Sequence, residues 1–291
     1  MAFLYGEETF GSKFCYNEDI RLKGKEKIMI QDFHTHSNNS FDSKETIENM
    51  CISAIDKGIE HLAFTEHFCV NDIRKTYGYI DFGRFQQDIE EAKEKFSDRL
   101  NIYKGIEICE PHIMKEGYEE ALKDIKVDVI LGSVHNINNM GLRDLVKNYH
   151  YKQAYELYFN DVYEMVKNSD FDIAAHPDLL NRYAYKTMGT YDFKYNRDII
   201  GEILKEIINR GKGIEINTSV FRNKDDNRAN SLEITKLYKS LGGEIITIGS
   251  DAHKVEDVGE YCEEALKALR DFGFKYVFTF KDRKAVAHKI L

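Results

Sequence analysis

From Lys27 onward the chain alternates short apolar runs with longer segments whose apolar residues recur at helical spacing. The runs IMIQDF (28–33), HLAFT (61–65), IYKGIEI (102–108), VDVILGSV (127–134), FDIAAH (171–176), GIEINTS (213–219) and EIITIGS (244–250) read as strands, with FKYVFTF (274–280) as a late addition. Amphipathic helices are predicted between them, at 44–57, 81–97, 117–125, 145–168, 195–210, 231–241 and 256–272. Strands alternating with helices imply βαβ units and a parallel sheet. Seven or eight such units imply a closed α/β barrel. The chain has only two prolines and no Gly/Pro/Ser-rich linker. It therefore reads as a single barrel domain over residues 28–291, preceded by an N-terminal extension, 1–27, that stands outside the alternation.

In such a barrel the functional groups gather where the strands end, because the loops there form one open face. The predicted strands end in His34-Thr-His36, then His67, Glu107, His135 and His176, and the seventh in Asp251 and His253. Six of the ten histidines thus occupy equivalent strand ends, a distribution that core packing alone would not produce. His61, His112, His150 and His288 lie elsewhere and read as structural. Within DFHTHSNNSFDS, residues i and i+2 of an extended strand face the same side, so His34 and His36 project together and Asp42 folds back over them from the loop. An HxH pair alone is equally well read as two histidines satisfying each other and solvent; the remaining strand ends favour a metal site.

Nine candidate ligands (His34, His36, Asp42, His67, Glu107, His135, His176, Asp251 and His253) exceed the needs of one catalytic zinc. Two or three divalent ions are expected, and imidazole with carboxylate but no thiolate suits zinc, iron or manganese. Glu107 and Asp251 are the candidates for shared ligands, since a carboxylate has two oxygens. With His253 they are the candidate catalytic residues. Clustered divalent ions lower the pKa of bound water and orient an in-line displacement, so phosphoester hydrolysis by metal-activated hydroxide is the reaction this set best serves. There is no GxSxG and no phosphate-cradling P-loop.

The bulk numbers narrow the partners. A net charge of −9 without a long basic block argues against nucleic acid, though a small phosphorylated substrate needs only a few local cations. Five scattered cysteines form no CxxC and suit a reducing cytoplasm. No apolar run approaches the ~20 residues of a membrane span, and the first residues carry no signal pattern, so a cytoplasmic protein is expected.

The motifs DFHTHS, FTEH, GIEI, GSVH, HPDLLNRY, EINTS and IGSDAH, in this order over about residues 29–285, resemble the polymerase and histidinol phosphatase (PHP) superfamily, and within it the PHP-type histidinol-phosphatases. The resemblance implies a distorted (β/α)7 TIM-like barrel with a trinuclear centre. His34, His36, Glu107 and Asp251 would hold one metal, Glu107, His135 and His176 a second, and Asp42, His67 and His253 a third. It also implies hydrolysis of L-histidinol phosphate. Two features depart from the family's pattern: residues precede Met29, and SVFR (219–222) stands where a glycine-containing turn is expected.

Arg182 in HPDLLNRY and Arg222 in TSVFR lie beside strand-end motifs and are the candidate phosphate-binding residues, because a guanidinium presents a planar fork of donors. Arg74, Arg84 and Arg143 are weaker candidates, as is Glu66 for a supporting role. Three other readings stay open: a different small phosphomonoester or nucleotide substrate, an amidohydrolase, and a metal-binding regulatory domain without turnover. The amidohydrolase is disfavoured because His135 stands where a bridging lysine is expected.

Overall fold

The computed structural model describes residues 15–16, 29–222 and 228–290. The proposed extension, 1–27, therefore lies outside the described residues except for Cys15–Tyr16. Seven parallel strands form the barrel wall: β1 Gln31–Thr35, β2 His61–Phe68, β3 Asn101–Cys109, β4 Val129–Ser133, β5 Ile173–Ala174, β6 Gly213–Asn217 and β7 Ile246–Gly249. Each pairs with the next in sequence, giving the order β7-β6-β5-β4-β3-β2-β1. Asp251 N donates to His34 O at 2.7 Å, and His36 N to Ala252 O at 2.9 Å. These bonds draw the end of β7 against β1 and nearly close the barrel.

The helices between strands are α1 Ile47–Asp56, α2 Phe82–Phe96, α3 Lys115–Leu122, α4 Leu142–Asn148, α5 Tyr151–Asn168, α6 Leu180–Ala184, α7 Phe193–Asn209, α8 Arg228–Ser240 and α9 Cys262–Asp271. Buried side chains of α5, α7 and α9 join those of the strands in one outer core, including Tyr155, Tyr158, Phe159, Leu204 and Leu266. Two helical expectations change. The segment 145–168 is two helices, because Tyr149 and His150 have extended backbones, ψ 149° and 152°. The helix expected from 256 starts at Cys262, after a 3-10 turn at Val255–Asp257.

The eighth apolar run is not a barrel stave. It forms β8 Tyr276–Lys281, antiparallel to β9 Lys284–Lys289, and Cys15–Tyr16 adds to β9 in parallel. Phe278 and Phe280 of this hairpin pack with Phe33, Ala63, Leu131 and Ile173, flooring the barrel with apolar side chains. A register shift between Asp32 and Thr35 interrupts the β1–β2 ladder. Consequently Phe33 belongs to the floor, while His34 and His36 face the opposite mouth.

Candidate metal centre

The nine candidate ligands converge at the carboxyl rim. His34 Nε2 lies 3.0 Å from His36 Nε2, as the strand period demands. Asp42 Oδ2 sits 3.4 Å from His67 Nε2 and 3.3 Å from His253 Nε2, so the loop after β1 does fold back over the rim. Glu107 is central. Its Oε1 is 2.8 Å from His176 Nε2 and 3.3 Å from His135 Nε2. Its Oε2 is 3.0 Å from His67 Nδ1, 3.4 Å from His34 Nε2 and 3.6 Å from His36 Nε2. Asp251 Oδ1 approaches His36 Nε2 at 3.5 Å and His34 Nε2 at 3.8 Å.

Three triads have ligand atoms all within 4.8 Å of one another: His36 with His67 and His253, His34 with Glu107 and His176, and His34 with His36 and Asp251. These triads divide the ligands differently from the sets the resemblance implies, placing His36 also against the His67–His253 pair. His67 Nδ1 and Glu107 Oε2 approach to 3.0 Å without hydrogen-bond geometry, and both are buried with no hydrogen-bond partner among the described residues. Buried polar atoms of this kind ordinarily have one, and imidazole and carboxylate are the donors that zinc, iron and manganese accept. The residues fit such ions.

Electrostatics hold the carboxylates in ligand form. Burial raises the pKa of Glu107, but His135, His67 and His34 outweigh it and bring the group well below the usual carboxylate value. Asp251 behaves alike, with Arg182 and His34 overcoming burial. Burial, reinforced by His67 and His253, pushes His36 well below the ordinary imidazole value, leaving it neutral. His34 goes the other way: Glu215, Glu107 and Asp251 outweigh its burial.

A layer of buried carboxylates supports the ligands, and sequence reasoning largely missed it. Glu215 Oε1 pairs with His34 Nδ1 at 2.7 Å, while Oε2 accepts from His176 N at 3.0 Å and Asn217 Nδ2 at 3.0 Å. Glu215 lies two residues before the end of β6, as Glu107 lies two before the end of β3, so the signal was present. Glu66 accepts from Ser37 N at 3.0 Å and Ser40 Oγ at 2.5 Å, and Ser40 Oγ lies 3.2 Å from His36 Nδ1. Glu110, pushed up to about 7 by burial, accepts from His135 N at 2.6 Å. Asp32 accepts from Ser250 N at 2.8 Å and Gly259 N at 2.7 Å, fixing the loop that carries Asp251. Such partners orient ligating imidazoles.

Backbone strain marks the same rim. His176 and Asp251 have φ of 26° and 55°, a region non-glycine residues seldom enter and one found at functional sites. Gly249 answers a different constraint. A Cβ there would lie 2.1 Å from Glu215 Oε1 and 2.4 Å from His34 Cβ, so only glycine admits the His34–Glu215 pair.

A cavity of about 380 Å³ opens over the cluster, lined by Asp42, His67, His135, Asp251 and His253 together with Phe41, Ile73, Arg74 and Arg182. Arg182, on the single-turn α6, donates through Nη2 to Asp251 Oδ2 at 2.5 Å and to Ser219 Oγ. Its Nε is buried without a partner. Arg222 is placed differently. Nε bonds Glu260 Oε2 at 2.8 Å and Nη2 bonds Ser250 O at 2.6 Å, and it is not among the residues lining the cavity. Arg84 holds Asn38 O and Asn39 Oδ1, and Arg143 lies over the Tyr183 ring. The histidines read as structural stand apart: His61 bonds Tyr103 at 2.7 Å, His288 bonds Thr279 at 2.8 Å, and His112 faces Asp161 at 3.3 Å.

A parallel barrel that gathers imidazoles and carboxylates beneath an open cavity at its carboxyl rim defines the class of metal-dependent barrel hydrolases. Residues 32–219 match the PHP domain family, and the chain belongs to that family. It is 33% identical over 258 residues to a probable histidinol-phosphatase of Clostridium acetobutylicum, covering 87% of this chain and 98% of the relative. It is 29% identical over 269 residues to the histidinol-phosphatase of Lactococcus lactis, covering 89% of this chain and 97% of that one. The crystal structure of histidinol phosphate phosphatase from Lactococcus lactis, complexed with zinc, L-histidinol and phosphate, superposes with a TM-score of 0.83 at 25% identity, over 89% of this chain and 99% of that chain. Among the described residues no helix is long and apolar enough to cross a membrane.

Proposed function

We propose that this protein is a metal-dependent phosphomonoesterase that hydrolyses L-histidinol phosphate to L-histidinol and phosphate, a step of histidine biosynthesis. The observation that carries this reading is the superposition, over 89% of the chain, on a phosphatase holding zinc, L-histidinol and phosphate. The converging ligands beneath the cavity support it. Two or three ions of zinc, iron or manganese would be held by His34, His36, Glu107 and Asp251, by Glu107, His135 and His176, and by Asp42, His67 and His253. The split of Glu107, with Oε1 facing His135 and His176 and Oε2 facing His34, His36 and His67, supports its sharing between ions. Bound there, the ions lower the pKa of a water towards neutrality and neutralise the phosphoryl oxygens.

The protein's own groups bind and orient the ester. Asp251 and His253 face the cavity, and Glu107 lies directly beneath them as the shared base of the cluster. Arg182, which lines the cavity, presents its guanidinium to the phosphoryl oxygens, where charge grows in the transition state. Arg222 acts as a second clamp once its guanidinium exchanges Glu260 for phosphate. The flat imidazole of the substrate rests against Phe41 and Ile73, which are 39% and 60% exposed at the mouth. Scattered cysteines suit a reducing cytoplasm, and the acidic surface repels polyanions from all but the local site.

Steady-state assays with manganese or zinc, comparing L-histidinol phosphate with p-nitrophenyl phosphate, nucleoside monophosphates and single-stranded DNA, test the reading. A clear preference for L-histidinol phosphate is expected, because an analogue lacking the imidazole and amine leaves buried polar groups unpaired. Equal kcat/KM across small esters reduces the claim to a general phosphoesterase, and release of mononucleotides from DNA ends favours a nuclease. Absence of turnover with full metal occupancy leaves a metal-binding regulatory domain. Elemental analysis of active protein is expected to find two or three ions per chain; one or fewer excludes the trinuclear arrangement.

A further inference from the structure

Two cysteines sit on the rung above the central ligands. In the parallel β2–β3 ladder His67 is opposite Glu107 and Phe68 opposite Ile108, so the same register sets Cys69 opposite Cys109. Side chains alternate along a strand, and residues two beyond His67 and Glu107 point the same way into the barrel mouth. Cys109 lines the cavity over the metal centre. Both thiols are free and buried, and Cys69 Sγ meets Asn71 O at 4.0 Å. The Tyr118 hydroxyl meets the Cys109 carbonyl at 2.7 Å and the Phe68 carbonyl at 3.4 Å, pinning both strand ends at this rung. Paired strands lie about 4.8 Å apart, inside the roughly 4.4–6.8 Å between Cα atoms that a disulfide spans. Cys51 and Cys262, by contrast, lie on α1 and α9.

We propose that Cys69 and Cys109 are a site of reversible oxidative cross-linking that turns this enzyme off. The oxidant is a hydroperoxide entering through the cavity. One of the two sulfurs attacks the peroxide bond; an S–O bond forms as O–O breaks, and the thiol proton leaves with the departing oxygen, as water from hydrogen peroxide or as the alcohol from an organic hydroperoxide. The other sulfur then displaces the sulfenic hydroxyl, forming S–S and releasing water. Two thiols are oxidised by two electrons and one hydroperoxide is reduced; a dithiol reverses the exchange. The disulfide draws the two Cβ atoms to about 3.8 Å. It thereby re-aims His67 and Glu107, each two residues back along the same strand.

The test uses metal-loaded full-length protein treated with hydrogen peroxide, alkylated and digested without reduction. A Cys69–Cys109 linked peptide is expected, with turnover lowered by roughly 100-fold, the scale of a 1 Å misplacement in an active site. Dithiothreitol is expected to restore it. Cys69→Ser, with Cys69→Ala as a second variant, is expected to lack both the linked peptide and the dithiothreitol-reversible loss, whereas Cys51→Ser retains both. The proposal is overturned if the two thiols are recovered unlinked, if the link forms without loss of turnover, or if wild type and Cys69→Ser lose turnover in parallel. Only the activity arm rests on the proposed hydrolysis. Peptide mapping and zinc content before and after oxidation decide the cross-link even if no tested ester is turned over.

Discussion

At the residue scale the centre depends on side chains that never reach the cavity. Glu215 fixes His34 through Nδ1 and His176 through its amide, and among the described residues these partners and Asn217 satisfy its buried carboxylate. Glu215→Gln keeps the shape but removes the charge. It is expected to weaken metal retention by roughly 10- to 100-fold, the usual cost of losing a carboxylate behind a ligating imidazole, as measured by competition with a chelator. Unchanged retention would remove Glu215 from the centre. The arginines separate by their present partners. Arg182→Ala is expected to cost about 2–4 kcal/mol of transition-state stabilisation, or roughly 30- to 1,000-fold in kcat/KM, at full metal occupancy. Arg222→Ala has a comparable kinetic effect if the guanidinium leaves Glu260 for phosphate. If instead it lowers thermal stability and spares kcat/KM, Arg222 is a staple between the β6 and β7 loops.

At the element scale the informative departure is FKYVFTF. Its period and composition are those of a barrel strand, yet it folds as one arm of a hairpin whose Phe278 and Phe280 fill the barrel floor. The turn holds Asp282 and Arg283 at φ 49° and 62°, and Arg283 clamps Asp170 and Asp172 beneath β5. Phe278 is 2% exposed. Phe278→Ala is accordingly expected to destabilise the protein by about 3–5 kcal/mol, the cost of emptying an aromatic site that cannot collapse. Urea unfolding measures it; a loss below about 1 kcal/mol would mean the hairpin is not part of the core.

At the scale of the whole molecule, that hairpin is coupled to the barrel through a pair of imidazoles. The His61 and His288 rings lie 4.7 Å apart, one on β2 and one on β9. Burial, with His288 adding to it, brings His61 down to about 3, against roughly 6.5 for an unfolded chain. Between those values the unfolded chain binds a proton that the folded protein refuses. Stability therefore falls as pH drops through that window, by at most about 1.4 kcal/mol per pH unit, and is untouched above it. His61→Gln is expected to flatten the dependence of unfolding free energy on pH between about 6 and 4. An unchanged slope would show that other groups carry the acid limb.

What the sequence by itself determined was local in origin. The alternation of strand and helix, the barrel class, and the strand ends bearing His34, His36, His67, Glu107, His135, His176, Asp251 and His253 all follow from side-chain period and residue type, which act over a few neighbours. Asp42 was legible because a loop of six residues after His36 has little choice but to return over the rim. The tertiary structure decided what depends on register and closure. His34 and Glu215, 181 positions apart, meet only because β7 closes on β1 beside a glycine that leaves room for them. The positive φ of His176 and Asp251, the two faces of Glu107, the commitment of Arg222 to Glu260 and the withdrawal of the eighth strand into a floor are likewise set by long-range packing. No local pattern encodes them, because each is a contest between distant groups for the same buried hydrogen bond or the same volume.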